Sequence, residues 1–364
     1  MKKLKRFMVV LLIAAITLSG CSNNSESTST EGESDDDLKV MAIINGTLGD
    51  KSFFDSLKVG MDELGSREGI KTNVVETGFD ETKWEPALID ASEGDWDIII
   101  AGTWQMSDYV SKIAEQYPDK KYIVYDSAVD FSDGQNSNVY AIEYKQNEGS
   151  FLAGAVSANL SESGILGFVG GLDVPVINDF MVGFADGAQY VNDQIKIATS
   201  YVGNFSDTGK AKELGFAQIG LGADVIFPAA SVAGNGALEA AKEKNVFTIG
   251  VDSDQALLYK EANDDDMANL IATSVLKEVG NSIIRAIELE QKGELVWGQG
   301  EVLGIKEGAI GIAKNDIYQQ VVPVEVQELV TSLEEKIKNG EIVVDTAFGL
   351  SAEELSELRN TLMP

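Results

Sequence analysis

From Leu38 onward, short apolar runs alternate with segments of helical periodicity, and this alternation leaves few folds open. The runs LKVMAIIN, TNVVETG, WDIIIAG, KYIVYDS, NVYAIEY, ILGFVGG, IKIATSYVG, ADVIFPAA and VFTIGVD span seven to nine residues each, suiting strands buried on both faces of a parallel sheet. Between them lie amphipathic helices. Phe53, Leu57, Met61 and Leu64 share one helical face, as do Ile177, Phe180, Met181, Phe184 and Val191, and later Val326, Leu329, Val330, Leu333 and Ile337. Strands alternating with helices predict α/β sheets with right-handed crossovers. Nine strands followed by a less regular last third exceed one doubly wound unit. The expectation is therefore two doubly wound parallel-sheet lobes joined by a multi-strand hinge. Residues 38–143 and 256–305 are assigned to the first lobe and 144–255 and 306–364 to the second, with a crossover near Asp252 to Gln255. The helix holding Val279, Ile283, Ile284 and Ile287 then completes the first lobe. Carboxyl strand ends would face a shared cleft, where open α/β sheets bind ligands.

The first twenty residues differ in kind. Lys2, Lys3, Lys5 and Arg6 precede an apolar run from Phe7 to Leu18, which reads as a signal peptide and is too short for a membrane span of about 20 residues. The ending Leu18-Ser19-Gly20-Cys21 resembles a bacterial lipobox, which implies that Cys21 carries acyl chains of the palmitate type and becomes the first mature residue. Residues 22–37 hold no hydrophobic side chain and six acids, the composition of a disordered tether.

Composition removes several chemistries. Cys21 is the only cysteine and there is no histidine, so intrachain disulfides, Cys-based zinc cages and His-assisted nucleophiles are excluded. The net charge of -31 opposes contact with polyanionic nucleic acid and favours a self-repelling, monomeric protein. Glycine-rich stretches give no nucleotide loop. Gly203 to Ala211 lacks Walker spacing, and Ala233-Gly234-Asn235-Gly236 misses the dinucleotide fingerprint, although it opens a helix whose N–H groups suit a polar ligand. The acidic clusters Asp35–Asp37 and Asp264–Asp266 lack calcium-loop spacing. Asp50, Asp108, Asp126, Asp252 and Asp254 lie at or just beyond carboxyl strand ends, as ligand contacts or helix caps.

In chain order these elements resemble a known family. Asp50-Lys51-Ser52-Phe53, the Gly102 to Asp108 loop, Asn147-Glu148-Gly149-Ser150-Phe151-Leu152-Ala153-Gly154, Gly167 to Gly171 with Pro175, Phe180 and Gly183-Phe184, then Gly250 to Gln255 and Thr273 to Lys277, are similar to the basic membrane protein lipoproteins. These are related to the purine nucleoside receptor and serve ABC importers as substrate-binding components. The resemblance runs from about Val40 to Val344, and the family name does not describe this chain's charge. It implies a type I periplasmic-binding-protein-like receptor on the extracytoplasmic face of the cell membrane, without catalysis or cofactor. Such a receptor closes on a nucleoside and presents it to a permease and its ATPase. Carried over, Phe53 and Phe180 stack on the base and Asp108 bonds its edge. Asp252 and Lys277 hold the ribose, with Lys277 neutralising Asp252, while Asp50 and backbone near Gly234 complete the site. Phe54 stands where the family usually has Asn, which bears on base and ribose recognition. A sugar receptor, a membrane-tethered sensor of the same fold, and a nucleoside hydrolase working through cleft carboxylates are the competing readings.

Overall fold

The computed structural model describes residues 37–364; the signal peptide, Cys21 and nearly all of the acidic tether lie outside them. The described residues form twelve strands. They are β1 (Leu38–Ile44), β2 (Ile70–Glu76), β3 (Ile98–Gly102), β4 (Lys121–Tyr125), β5 (Val139–Tyr144) and β6 (Ile165–Gly170), then β7 (Lys196–Tyr201), β8 (Val225–Ala229), β9 (Phe247–Asp252), β10 (Ile271–Lys277), β11 (Gln299–Leu303) and β12 (Ile310–Ile312). The helices are α1 (Phe53–Gly65), α2 (Trp84–Glu93), α3 (Trp104–Gln116), α4 (Gln146–Leu160), α5 (Pro175–Val191), α6 (Thr208–Gly220) and α7 (Ser231–Lys244). They continue as α8 (Gln255–Glu261), α9 (Asp265–Ala268), α10 (Val279–Gln291), α11 (Asp316–Val321), α12 (Val324–Lys338) and α13 (Ala352–Leu362).

Two six-stranded sheets result, ordered β11-β5-β4-β3-β1-β2 and β12-β10-β9-β8-β6-β7. The first is wholly parallel, and in the second only β12 runs antiparallel, against β10. In each sheet the strand order reverses once, beside β1 and beside β6, which opens a crevice at the carboxyl ends. The central strands are apolar because helices cover both faces: Ile98 to Gly102 and Val225 to Ala229 are buried throughout.

The chain passes between sheets three times, between Tyr144 and Gln146, between Lys277 and Val279, and between Leu303 and Ile310. This corrects the sequence reading, which returned residues 256 onward to the first lobe. β10 pairs with β9 and β12, so α8, α9 and β10 belong to the second lobe and the return falls at Glu278. The strand IATSVLK reads poorly as a core strand because of its hydroxyls, yet both are buried and bonded: Thr273 Oγ1 donates to Ala313 O at 2.7 Å, and Ser274 Oγ accepts from Gln255 N at 3.1 Å. α10 then packs on α1 of the first lobe. Gly60 and Gly280 permit this approach, since a Cβ on Gly60 would lie 2.5 Å from the Gly280 backbone.

Candidate functional site

The loop after β1 is shaped by two carboxylates. Asp55 accepts from the N–H groups of Gly49 and Lys51, each at 2.8 Å, and buried Asp50 accepts from those of Ser52 (3.0 Å), Phe54 (3.1 Å) and Asp55 (3.2 Å). The N-terminus of α1 is thereby satisfied, and Ser52 and Phe53 are held at the mouth of the crevice. Burial raises the Asp50 carboxyl above its ordinary range, with the backbone donors opposing.

The second lobe clasps this loop. Ser52 Oγ donates to Asp252 Oδ2 at 2.5 Å, Ser253 Oγ to Ser52 O at 2.9 Å, Gln255 Nε2 to Lys51 O at 3.0 Å, and Ser231 Oγ to Asp50 Oδ2 at 3.1 Å. Lys51, Asp126, Ser231 and Asp252 all have positive φ, between 48° and 64°. Strained backbone of this kind concentrates where structure serves binding.

Between the lobes lies a cavity of about 570 Å³, its mouth included. Phe53, Phe54, Thr103, Trp104 and Asp126 line it from the first lobe, and Ile177, Phe180, Phe205, Ser231, Asp252 and Lys277 from the second. Phe54 fits because residue 46 is glycine: a Cβ there would fall 2.0 Å from the Phe54 ring. Lys277, the last residue of β10, is 1% exposed. Its Nζ bonds Asp126 Oδ1 at 2.7 Å and stands 4.8 Å from the Phe180 ring centre, 5.5 Å from that of Tyr144 and 5.6 Å from that of Phe53. Aromatic faces and a carboxylate together offset the loss of water around the ammonium. The Asp252 carboxyl is pushed up to about 6. Burial dominates, Lys277 and Ser52 oppose it, and Asp50 and Asp126 add to it.

Of the residues expected from the sequence, Phe53, Phe180, Asp252 and Lys277 meet on this cavity, and Asp50, Asp108 and Gly234 do not. Asp50 frames the loop behind Ser52. Asp108 lies inside α3, which begins directly after Thr103, and its side chain is exposed. Gly234 lies within α7, where an added Cβ would make only ordinary contacts, 3.5 Å from Pro228 and 3.8 Å from Ala230. The glycine that α7 requires is Gly236, whose Cβ would fall 1.9 Å from Thr208 O on α6. Lys277 makes its ion pair with Asp126 rather than with Asp252. Sequence reasoning had placed Asp126 at a strand end without giving it a role in the site. It passed over Ser52 and Ser231, whose hydroxyls join the lobes. Among the described residues no cluster of His, Cys, Asp or Glu is arranged to hold a metal ion.

Two doubly wound lobes around an aromatic and charged cleft define a ligand-capturing receptor of the type I solute-binding fold. Solved structures share that fold. An ABC transporter solute-binding protein from Aeropyrum pernix K1 is 24% identical, with a TM-score of 0.77 over 89% of this chain and 97% of that one. A transcriptional activator of the comK gene from Bacillus halodurans is 23% identical, with a TM-score of 0.69 over 83% and 98%. Residues 37–347 match the Bmp family model, described as ABC transporter substrate-binding protein PnrA-like, and the chain belongs to that family of substrate-binding proteins, which are not enzymes. Basic membrane protein A of Borreliella burgdorferi is 30% identical over 94% of this chain and 96% of its own. The ABC transporter nucleoside-binding protein BmpA of Lactococcus lactis subsp. cremoris is 26% identical over 94% and 99%.

Proposed function

We propose that this substrate-binding protein captures a nucleoside, a purine nucleoside by preference, between its lobes and delivers it to an ABC permease and ATPase. The observation that carries the reading is the grouping of Phe53, Phe180, the Lys277–Asp126 pair and Asp252 on one interlobe cavity. A nucleobase has two π-faces, and stacking on aromatic rings contributes about 1–3 kcal/mol per base. Phe53 and Phe180 supply those rings. Asp126 takes the base-edge role that the family resemblance gave to Asp108, because Asp126 lines the cavity and Asp108 does not. Asp252 accepts from the ribose hydroxyls beside Lys277, and the turn at Ala230 and Ser231 supplies the contact assigned to Gly234. Phe54 adds apolar wall where the family usually has an amide. The name of the Lactococcus relative agrees with this substrate class.

Export follows from the signal peptide, and acylated Cys21 with its acidic tether holds the receptor at the extracytoplasmic face of the membrane. Among the described residues no helix is long and apolar enough to cross a membrane. The test is calorimetric titration of the purified, ligand-stripped protein with adenosine, guanosine, inosine, uridine, cytidine and ribose. Saturable binding of a nucleoside with ribose silent is the expected outcome. Ribose binding with every nucleoside silent moves the protein to the sugar receptors.

A further inference from the structure

Beside the aromatic cavity lies a second chamber of about 840 Å³, its mouth included, which shares Trp104, Asp126 and Val176 with the first. Its remaining wall comes from the loop after β4 at Ser127 and Ala128, the end of β5, the start of α4, the start of α5 and Phe348. Two of its polar side chains have unused acceptors. Glu143 is half-buried and has no hydrogen bond or ion pair among the described residues, and burial together with Asp126 raises its carboxyl above the ordinary range. Gln146 is 1% exposed. Its Nε2 donates to Asp179 Oδ2 at 2.8 Å, which leaves Oε1 buried without a partner. Oε1 is sealed from the chamber, so the open acceptor that a guest's donor can reach is the Glu143 carboxylate on the wall.

The charge of that guest follows from the rest of the wall. Among the described residues no lysine or arginine lines the chamber. Lys277 is committed to Asp126, which leaves Glu143 as uncompensated negative charge. The helix end at α5 offers little to an anion, because Pro175 has no N–H and the N–H groups of Ile177 and Asn178 already bond Val174 O. Trp104, Tyr144 and Phe348 present aromatic surface, which favours a cation over an anion. The geometry points to a compartment of the ligand site that holds a protonated amine, so that the substrate class includes nucleosides carrying a cationic aminoalkyl group on the base edge that faces Asp126. The inference rests on the nucleoside reading and goes beyond it by assigning Glu143 to the ligand's substituent.

A matched pair of ligands tests it. The purified full chain is titrated near neutral pH with adenosine, with adenosine bearing a propyl group on its exocyclic amine, and with adenosine bearing a 2-aminoethyl group there. The two analogues match in length and differ in charge. The aminoethyl analogue is expected to bind at least about tenfold more tightly than the propyl one, the factor that a charge-assisted hydrogen bond supplies. Glu143→Gln should bring that ratio close to one and leave the affinity for adenosine unchanged. If adenosine binds while the wild-type ratio is one or less, or if neither analogue enters, the compartment is refuted and the nucleoside reading stands. A ratio that survives Glu143→Gln removes Glu143 from the role and refutes the assignment. Silence toward all three ligands refutes the nucleoside reading and this inference with it. Should Glu143→Gln fail to fold, the wild-type ratio alone still decides.

Discussion

Replacing Asp252 by asparagine keeps the side chain's shape, its acceptance from Ser52 and its tolerance of positive φ, and removes only the charge. In the closed body this carboxyl is pushed from 3.8 to about 6, chiefly by burial. The 3.8 is the value of a solvated carboxyl, so about 2 units, or about 3 kcal/mol favouring the protonated form, is the upper bound on what closure over Asp252 contributes. The direction is that of an acid whose closed-state value is raised. Closure takes up a proton between about pH 4 and 6; the penalty is absent below that window and complete above it. The ligand-free wild type should therefore open as pH rises through this window. Asp252→Asn should remain more closed at neutral pH, by up to about 100-fold in the ratio of closed to open protein. Small-angle scattering read as radius of gyration against pH measures both. A variant whose profile overlays the wild type at every pH refutes the argument. So does a variant that is more open at neutral pH, which would mean that the Lys277 charge rather than burial governs Asp252.

Lys277→Met leaves the Asp126 carboxylate in the cleft without its ammonium and should lower stability by about 3–5 kcal/mol, read from the denaturant midpoint. Adding Asp126→Asn should recover most of the loss, and an unchanged midpoint in the single variant would refute the pair's importance. Ser52→Ala removes a charged hydrogen bond between the lobes, worth about 1.5–3 kcal/mol, and should speed ligand release at least about tenfold in stopped-flow fluorescence. Asp108→Ala should leave nucleoside affinity within about twofold, since a surface substitution away from the site changes energies by no more than about 0.5 kcal/mol; a larger loss in calorimetry would return Asp108 to the site.

The alternation of apolar runs was enough to read both lobes, because a strand covered by helices on each face must be apolar along its whole length. Nine runs matched β1 to β9, and the faces of α1, α5 and α12 were legible for the same reason: Leu57, Met61, Phe184 and Leu333 are buried where a period of 3.6 puts them. The last three strands escaped. β10 hides its hydroxyls in buried hydrogen bonds, while β11 and β12 are edge strands of five and three residues with little apolar content to signal them. The site was legible only in part. Lys277 ends β10, which the pattern missed, and was pointed to by the family resemblance alone, whereas Asp252 ends a strand that the pattern revealed and so falls on the cleft. Asp108 seemed to do the same, but β3 gives way to α3 after the single residue Thr103, and helical rotation turns Asp108 out to solvent. Asp126, one residue past β4, had the same sequence signal and the shorter distance to the cleft. Choosing between them depends on where a helix begins, which apolar periodicity locates poorly.

The three passages between the sheets also fix the order in which this protein is finished. No contiguous stretch of chain contains a whole lobe, and each sheet receives its outermost strand late, β11 for one and β12 for the other. Until residues 299–312 are available to the folding chain, the first lobe has the edge of β5 bare and the second the edge of β10 bare. The lobes are thus completed together by the last third of the chain, not one after the other, and until then the unfinished fold exposes two unpaired strand edges that a holding factor can recognise.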